Sequence, residues 1–188
     1  ALLCSVSLSA AEPVRIVVLG DSLTAGYKLK PDDAFPVQLQ KAMRESAHDD
    51  VVANAGESVD TAAGGLARLD WSVPEGTNAV IVELGANDAL RGLDPVKTYT
   101  ALTKIVAKLK ERRIEVLIAG MKAPRNLGKK YVTTFDRIYP YLAEQHAVDL
   151  YPFFLDGVAG VRKLNHHDGI HPTAQGIAEI VERIVPSV

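Results

Sequence analysis

The residues best suited to chemistry in this chain are a serine near its start and an acid–imidazole pair near its end. Ser22 lies in RIVVLGDSLTAGY, directly after an apolar run that is typical of a buried strand. Asp168 and His171 lie three residues apart in HHDGIHPTAQG. A serine hydroxyl is a weak nucleophile at neutral pH and needs an adjacent base. We expect His171 to be that base, with Asp168 accepting its Nδ1 proton so that Nε2 faces Ser22.

Attack of a serine on a carbonyl carbon also requires donors for the negative charge that develops on the carbonyl oxygen. The backbone N–H of Ser22, at the start of a helix, is one candidate donor. The side-chain amide of Asn87, in GANDA, is a second candidate. Asparagine is common in turns, so Asn87 alone would be interpreted as a turn residue.

Other interpretations compete for the same residues. Ser22 could simply cap the helix that follows it. His166 and His167, with Asp168 and His171, could bind zinc, but they lack a His-Glu-x-x-His pattern. The glycines around Ser22 could cradle a phosphate, but neither common phosphate-loop pattern, G-x-x-x-x-G-K-[ST] or G-x-G-x-x-G, is present. We therefore favour the nucleophile and expect no catalytic metal.

Apolar runs of strand length alternate along the chain with longer segments of helical period. The strand-like runs lie at 15–19, 51–55, 79–84, 114–120 and 148–151, and the helix-like segments at 35–46, 61–69, 95–110, 131–145 and 172–184. This alternation predicts an α/β fold in which helices cover both faces of a parallel sheet.

Three unusual loops follow the first three predicted strands, with the sequences GDSLTAG, NAGESVDTAAGG and GANDALRG. The working loops of such sheets lie at the carboxyl ends of the strands. In the common strand order 2-1-3-4-5 these three strands are neighbours. The loops are therefore expected to converge, which brings Ser22 and Asn87 to one edge.

Composition narrows the classes of partner. The 188 residues carry 21 basic and 23 acidic side chains without a basic stripe, so nucleic acid is not an expected partner. A single cysteine excludes an intrachain disulfide. No later run approaches the roughly 20 apolar residues of a membrane span, so we expect no stable membrane anchor.

The first eleven residues, ALLCSVSLSAA, are apolar and end in small residues. They are typical of the remnant of a secretory signal peptide. We therefore expect residues 1–11 to be such a remnant, residues 12–188 to form a single domain, and the protein to be periplasmic or secreted.

Several of these motifs together resemble a known family. GDSLTAGY, GANDA and DGIHP resemble the motif blocks of the SGNH (GDSL) hydrolases. ELGANDALRG and GGLARL resemble the bacterial periplasmic arylesterase, thioesterase and lysophospholipase branch, and the resemblance extends over residues 14–184. It implies Ser22 as nucleophile, Asp168 and His171 as its partners, and Asn87 in the oxyanion hole. It also implies no cofactor and a flavodoxin-like three-layer α/β/α sandwich around a five-stranded parallel sheet.

One block departs from the pattern of that branch. The branch reads Asn-Ala-x-x-Ser-Gly-Asp-Thr, and the glycine N–H belongs to the oxyanion hole; here Val59 stands at the glycine position. A β-branched residue tolerates few backbone conformations. We therefore expect a weakened donor at Val59, and a turnover about 10-fold higher in Val59→Gly.

The resemblance and the residues together predict an exported serine esterase that cleaves aryl or short to medium acyl esters through an acyl-enzyme. A thioesterase or lysophospholipase using the same site is the alternative. Val59 also leaves open a catalytically impaired α/β binding protein. We expect the segment 121–131 to shape the substrate site, Arg91 to be solvated, and Trp71 to anchor packing.

Overall fold

The computed structural model describes residues 13–46 and 49–188, so the expected signal-peptide remnant lies outside the described residues. Its described part contains a parallel sheet of five strands in the order β2-β1-β3-β4-β5. The strands are β1 (Arg15–Gly20), β2 (Val51–Gly56), β3 (Ala79–Glu83), β4 (Glu115–Ala119) and β5 (Asp149–Tyr151). The predicted α/β fold and its strand order are confirmed.

Nine α-helices connect or flank the strands within the described ranges. They are α1 (Ser22–Ala25), α2 (Phe35–Glu45), α3 (Ala62–Ala67), α4 (Leu69–Ser72), α5 (Ala86–Leu90), α6 (Pro95–Glu111), α7 (Lys129–Asp136), α8 (Ile138–His146) and α9 (Ala174–Ile184). Short 3₁₀ helices lie at Pro31–Asp33, Arg125–Leu127, Arg162–Leu164 and Val185–Ser187. None of the helices in this part of the chain has both the length and the apolar character needed to cross a bilayer.

The central strands are apolar on both faces because helices cover both. Val18 and Leu19 of β1 are fully buried, as expected for an inner strand of a parallel sheet. Helix α2 packs against α9, whereas α6 packs against α3 and α8. The chain crosses from β1 to β2 in one direction along the sheet, and from β2 through β3 and β4 to β5 in the other. Right-handed crossovers therefore place α2 and α6 on opposite faces of the sheet.

Two predicted helices and the position of Trp71 differ from the sequence-based expectation. The predicted helix 131–145 is broken into α7 and α8, and 61–69 continues into the separate α4. The expectation that Trp71 anchors packing was wrong, because 82% of its surface is exposed. Helix α4 turns Leu69 and Ser72 inward instead, which leaves Trp71 on its outer side.

The carboxyl ends of the three neighbouring strands form the edge from which the expected loops start. Gly20, the last residue of β1, pairs with Gly56 of β2 on one side and Glu83 of β3 on the other. A Cβ atom on Gly56 would collide with the backbone nitrogen of Ala25. Glycine at this position therefore lets α1 lie directly over the end of β2.

Candidate active site

Ser22 is the first residue of α1, immediately after the end of β1. The cap of this helix is Asp21, whose Oδ1 accepts the backbone N–H of Leu23 at 3.0 Å. The interpretation of Ser22 as the cap was therefore wrong, since the preceding residue satisfies the helix terminus. The Ser22 hydroxyl is left to face His171, with Oγ and Nε2 3.0 Å apart.

His171 is oriented by the loop that leads into α9. Asp168 Oδ1 accepts the backbone N–H groups of Ile170 and His171, both at 3.0 Å. Asp168 Oδ2 lies 3.0 Å from His171 Nδ1. Because the carboxylate is an acceptor, it favours the tautomer in which Nδ1 carries the proton, and Nε2 then accepts from Ser22.

Lys28 is a third partner of the Asp168 carboxylate. Its Nζ lies 2.7 Å from Oδ2, the same oxygen that faces His171 Nδ1. The Lys28 hydrogen bond, followed by the backbone N–H groups of His171 and Ile170, holds the pKa of Asp168 well below its usual range. Asp168 is therefore fully ionised at neutral pH. Sequence reasoning missed Lys28, whose only signal was its place at the end of the motif block, six residues after Ser22.

Val59 adopts the backbone conformation that glycine usually takes. Its φ is +66°, in the left-handed region that β-branched residues rarely enter. It stands third in a turn closed by the Asp60 N–H, which donates to the Glu57 carbonyl at 3.2 Å. The conformational restriction expected from the sequence is therefore overcome in the fold, and the reason for a large gain in Val59→Gly disappears.

Asn87 reaches the cleft from α5, but its amide already has protein partners. Nδ2 donates to Asp21 Oδ2 at 3.0 Å and to the Asp60 carbonyl at 2.9 Å. Asn87 therefore connects the loop that carries Asp21 and Ser22 to the turn that carries Val59. Donation to a substrate oxygen requires one of these two hydrogen bonds to be released or shared.

A buried carboxyl group lies beneath the segment that carries Asp21, Ser22 and Thr24. Glu83, at the end of β3, is fully buried, and its Oε2 accepts the Thr24 hydroxyl at 2.7 Å and the Asp21 N–H at 3.4 Å. Burial and the neighbouring Asp21 carboxyl raise the pKa of Glu83 well above its usual range. Burial likewise raises the pKa of Asp21 to about 6. Sequence reasoning did not single out Glu83, although it is a lone acid in the apolar run AVIVEL.

Arg68, between α3 and α4, joins the ends of two strands to the turn. Its guanidinium donates to the Gly20 carbonyl at 2.8 Å, to the Ala55 carbonyl at 2.9 Å and to Asp60 Oδ2 at 2.6 Å. Only 15% of its side chain is exposed. One side chain therefore fixes the ends of β1 and β2 and the turn relative to one another.

A cleft of about 810 Å³ opens in front of Ser22 and His171. Large apolar side chains form much of its wall: Tyr27, Leu90, Met121, Phe153, Leu155 and Ile170. Residues 121–125 of the loop after β4 also line it, as the sequence suggested. The wall is suited to an apolar group placed next to the serine.

Arg91 is exposed to solvent, as expected, and it also contacts the turn that carries Val59. It follows α5, and its guanidinium donates to the Val59 carbonyl at 2.7 Å. The sequence did not predict this hydrogen bond, because a sequence does not show which carbonyl a long loop side chain can reach.

His166 and His167 do not line the cleft in front of Ser22 and His171. They border a second cavity of about 450 Å³ together with Arg162 and Thr173. Within residues 13–46 and 49–188, no group of three or more His, Cys, Asp or Glu side chains is arranged to hold a metal ion. The absence of a catalytic metal stays a prediction.

Comparison with known proteins agrees with this geometry. Residues 18–178 match the GDSL-like lipase/acylhydrolase family. An arylesterase of Vibrio mimicus is 39% identical over 180 residues, covering 93% of this chain and 90% of that protein. The thioesterase 1/protease 1/lysophospholipase L1 of Escherichia coli K12 is 38% identical over 164 residues, covering 87% and 77%. The crystal structure of AlinE4, an SGNH-hydrolase family esterase, is 43% identical, with a TM-score of 0.82 over 95% of this chain and 96% of that one. This chain therefore belongs to the GDSL-like lipase/acylhydrolase family, the SGNH hydrolases.

Proposed function

We propose that this protein is a serine esterase that hydrolyses small carboxylic esters through an acyl-enzyme formed on Ser22. The observation that carries the proposal is the hydrogen-bonded series from Ser22 Oγ to His171 Nε2 and from His171 Nδ1 to Asp168 Oδ2, each step 3.0 Å long. This series lies at the wall of an apolar cleft. It provides a nucleophile, a base and a group that orients the base.

In the first half of the proposed reaction, Ser22 Oγ attacks the ester carbonyl carbon while its proton passes to His171 Nε2. The ionised Asp168 stabilises the imidazolium that forms. The carbonyl oxygen takes up the electron pair as an oxyanion. Collapse of this intermediate expels the alcohol, which takes the proton from Nε2, and leaves an acyl group on Ser22.

In the second half, water attacks the acyl carbon and transfers a proton to His171 Nε2. Collapse of the second tetrahedral intermediate releases the carboxylic acid and returns the proton to Ser22 Oγ. No redox step is involved, and we propose that neither a metal nor another cofactor takes part.

Three donors are proposed for the oxyanion. The N–H of Ser22 begins α1, where the helix dipole favours negative charge. The N–H of Val59 belongs to a residue that lines the cleft and has the positive φ of the glycine it replaces. Asn87 is the third donor, and it contributes by sharing an amide hydrogen that now points to Asp21 or Asp60.

For the substrate we propose aryl or short to medium acyl esters, because the cleft wall is mainly apolar and its volume of about 810 Å³ suits a group of that size. A thioesterase or lysophospholipase activity at the same site is the second candidate, favoured by the E. coli relative of that name. The catalytically impaired binding protein is less well supported, since Val59 adopts the glycine-like conformation.

We also propose that the enzyme acts in the periplasm or outside the cell. The support is the apolar, small-residue segment at 1–11. Fractionation of a bacterial host that expresses the gene should find the esterase activity outside the cytoplasm. Activity confined to the cytoplasm would contradict the proposed location.

The experiment that tests the proposed reaction is hydrolysis of p-nitrophenyl acetate, butyrate and octanoate by the native chain and by Ser22→Ala. Loss of a nucleophile that has no substitute should lower kcat by about 10⁴-fold or more with the fold intact. Ser58→Ala is the matched control, because Ser58 also lines the cleft. Retention of more than a tenth of the activity by Ser22→Ala would exclude Ser22 as nucleophile. Activity that EDTA abolishes and zinc restores would instead favour a metal site at His166, His167 and His171.

A further inference from the structure

The turn at 57–60 holds a strained residue at a functional position. Of its two central residues, Ser58 and Val59, only Val59 has positive φ, the pattern of a type II turn, which usually carries glycine there. A type I turn differs chiefly in the orientation of the central peptide, and valine favours it because its φ is then negative. A change from type II to type I would turn the Val59 N–H away from its present direction.

Packing of the valine side chain does not hold this conformation, since 69% of Val59 is exposed. The backbone contacts must hold it instead. On the N-terminal side the turn continues from β2, and the Glu57 N–H donates to the Gly20 carbonyl at 3.0 Å. On the C-terminal side Arg68 donates to the Asp60 carboxylate at 2.6 Å, but the backbone of the turn needs an attachment of its own.

Helix α5 provides that attachment through two side chains one helical turn apart. Asn87 Nδ2 donates to the Asp60 carbonyl at 2.9 Å, and the Arg91 guanidinium donates to the Val59 carbonyl at 2.7 Å. Two consecutive carbonyls of the turn are therefore fixed to one short helix. Arg91 acts on the strained residue itself. It is absent from the residues that line the cleft.

We propose that Arg91 is a positioning residue that keeps Val59 in its left-handed conformation, so that the Val59 N–H stays directed at the oxyanion. This inference rests on the proposed function, in which Val59 is an oxyanion donor. Arg91 is needed because valine, unlike glycine, does not take positive φ without cost. The requirement for Arg91 should therefore vanish when glycine stands at position 59.

A double-mutant cycle tests this coupling directly. The four proteins are the native chain, Arg91→Ala, Val59→Gly and the double variant, assayed for kcat and KM on p-nitrophenyl acetate. Arg91→Ala alone should lower kcat about 10-fold with little change in KM, because the lost interaction acts in the transition state. In the Val59→Gly background the same change should lower kcat less than about 3-fold, since glycine is favoured at this position of a type II turn. Val59→Gly alone provides the reference kcat for the double variant, so the test compares ratios of kcat within each background.

Two further variants test whether a cationic donor is needed at position 91 and whether the loss of any surface positive charge has the same effect. Arg91→Lys keeps one cationic donor and should recover part of the lost kcat. Arg44→Ala removes the same charge from an exposed position on α2 and should leave kcat unchanged. Melting temperatures of all variants separate an effect on the site from general unfolding.

Equal losses of kcat from Arg91→Ala in both backgrounds would overturn the inference, as would an unchanged kcat in Arg91→Ala alone. A rise in KM without a fall in kcat would show that Arg91 contacts substrate instead. The proposed function fails separately: it is rejected if Ser22→Ala keeps its turnover, whatever the cycle shows. If Ser22→Ala is inactive and the cycle shows no coupling, only the role of Arg91 is wrong.

Discussion

At Asp168, two hydrogen-bond donors share one carboxylate oxygen. Oδ2 lies 3.0 Å from His171 Nδ1 and 2.7 Å from Lys28 Nζ. The ring of Tyr27 packs beside His171, with 4.7 Å between ring centroids, and the Lys28 ammonium lies 5.3 Å from the Tyr27 ring centroid. The ammonium therefore competes with an imidazolium for the same negative charge. Lys28 should accordingly weaken the stabilisation that Asp168 gives to the imidazolium formed during attack.

Replacement of Lys28 by Met should raise kcat on p-nitrophenyl acetate by about 2-fold. Without the ammonium, the negative charge of Asp168 acts on the imidazolium alone, so the transition state is better stabilised. The pair is exposed, which keeps the expected effect small. Measurement of kcat in low and high salt checks this, because salt should reduce the difference between the two proteins. Lys30→Met removes the same charge two residues away and should leave kcat unchanged. A lower kcat in Lys28→Met, or an unchanged one, would contradict this account.

At the residue scale, the sequence predicted which side chains lie in series with Ser22. Ser22, His171 and Asp168 lie in the expected series because each follows a strand end or precedes a helix that the pattern located. The positions of Lys28 and Arg91 could not be predicted in this way. Long side chains reach partners through many rotamers, and only the folded backbone shows which oxygen lies within reach.

At the scale of elements, the site depends on one arginine that ties two strands to a turn. Arg68 donates to the carbonyls that end β1 and β2 and to the Asp60 carboxylate. Its planar fork of five donors suits several acceptors at once, which the single ammonium of lysine does not. The ends of the strands and the turn with Val59 should therefore loosen together when Arg68 is changed.

The change Arg68→Ala should lower the free energy of unfolding by about 3 kcal/mol, because it removes a donor from two carbonyls and from a carboxylate. Turnover should fall as well, since the Val59 turn loses one attachment. Chemical denaturation and p-nitrophenyl acetate kinetics measure the two effects. Arg183→Ala is the matched control: Arg183 likewise donates to several oxygens, here of two carboxylates, but 43% of its side chain is exposed. It should cost much less stability than Arg68→Ala, because exposed ion pairs contribute little. If both variants lost the same free energy of unfolding, Arg68 would stabilise the fold no more than an exposed arginine does, which would contradict the account.

The elements themselves were predictable to different degrees. The strands were located to within one or two residues because buried apolar runs are a strong local pattern. Helix α1 was expected to start at Ser22 but its length was not predicted, and α5 was not predicted at all, since four or five residues are too few to show a helical period. These short helices carry Ser22 and Asn87, so the least predictable elements are those that position the site.

At the scale of the whole molecule, stability should depend on the two buried acids beneath the site. The pKa values of Asp21 and Glu83 are raised by burial, Asp21 to about 6 and Glu83 well above its usual range. In the unfolded chain both carboxyls ionise near their ordinary pKa of about 4. The folded state therefore holds more protons above that pH, and the free energy of unfolding falls as the pH rises from about 4 through the raised pKa values.

The variant Glu83→Gln should weaken this dependence on pH. Glutamine keeps an acceptor for the Thr24 hydroxyl but does not ionise, and its neighbour Asp21 loses an adjacent carboxyl. The free energy of unfolding of the variant, minus that of the native chain, should therefore increase from pH 5 to pH 8. Urea denaturation at four pH values measures it, and Glu75→Gln, at an exposed position, is the control for loss of one carboxyl. Parallel curves for Glu83→Gln and the native chain would contradict the account.

The order of the sheet was predictable from general rules of α/β folds, whereas the buried acids were not. Strand order β2-β1-β3-β4-β5 is one of the common orders of doubly wound sheets, and alternating strands and helices indicate a sheet of that class. The protonation of Glu83 depends on its complete burial and on the distance to Asp21. Both quantities are properties of the assembled molecule rather than of any segment.

The most direct test of the central claim is the site at which a p-nitrophenyl phosphonate labels the enzyme. Attack by Ser22 should release one equivalent of p-nitrophenolate per enzyme in a burst and leave a phosphonyl group that does not turn over. Peptide mass spectrometry should place this group on Ser22 in the native chain and in Ser58→Ala, whose altered serine also lines the cleft. Ser22→Ala should give neither the burst nor the adduct. A burst and a stable adduct in Ser22→Ala, or an adduct on any other residue of the native chain, would contradict the account.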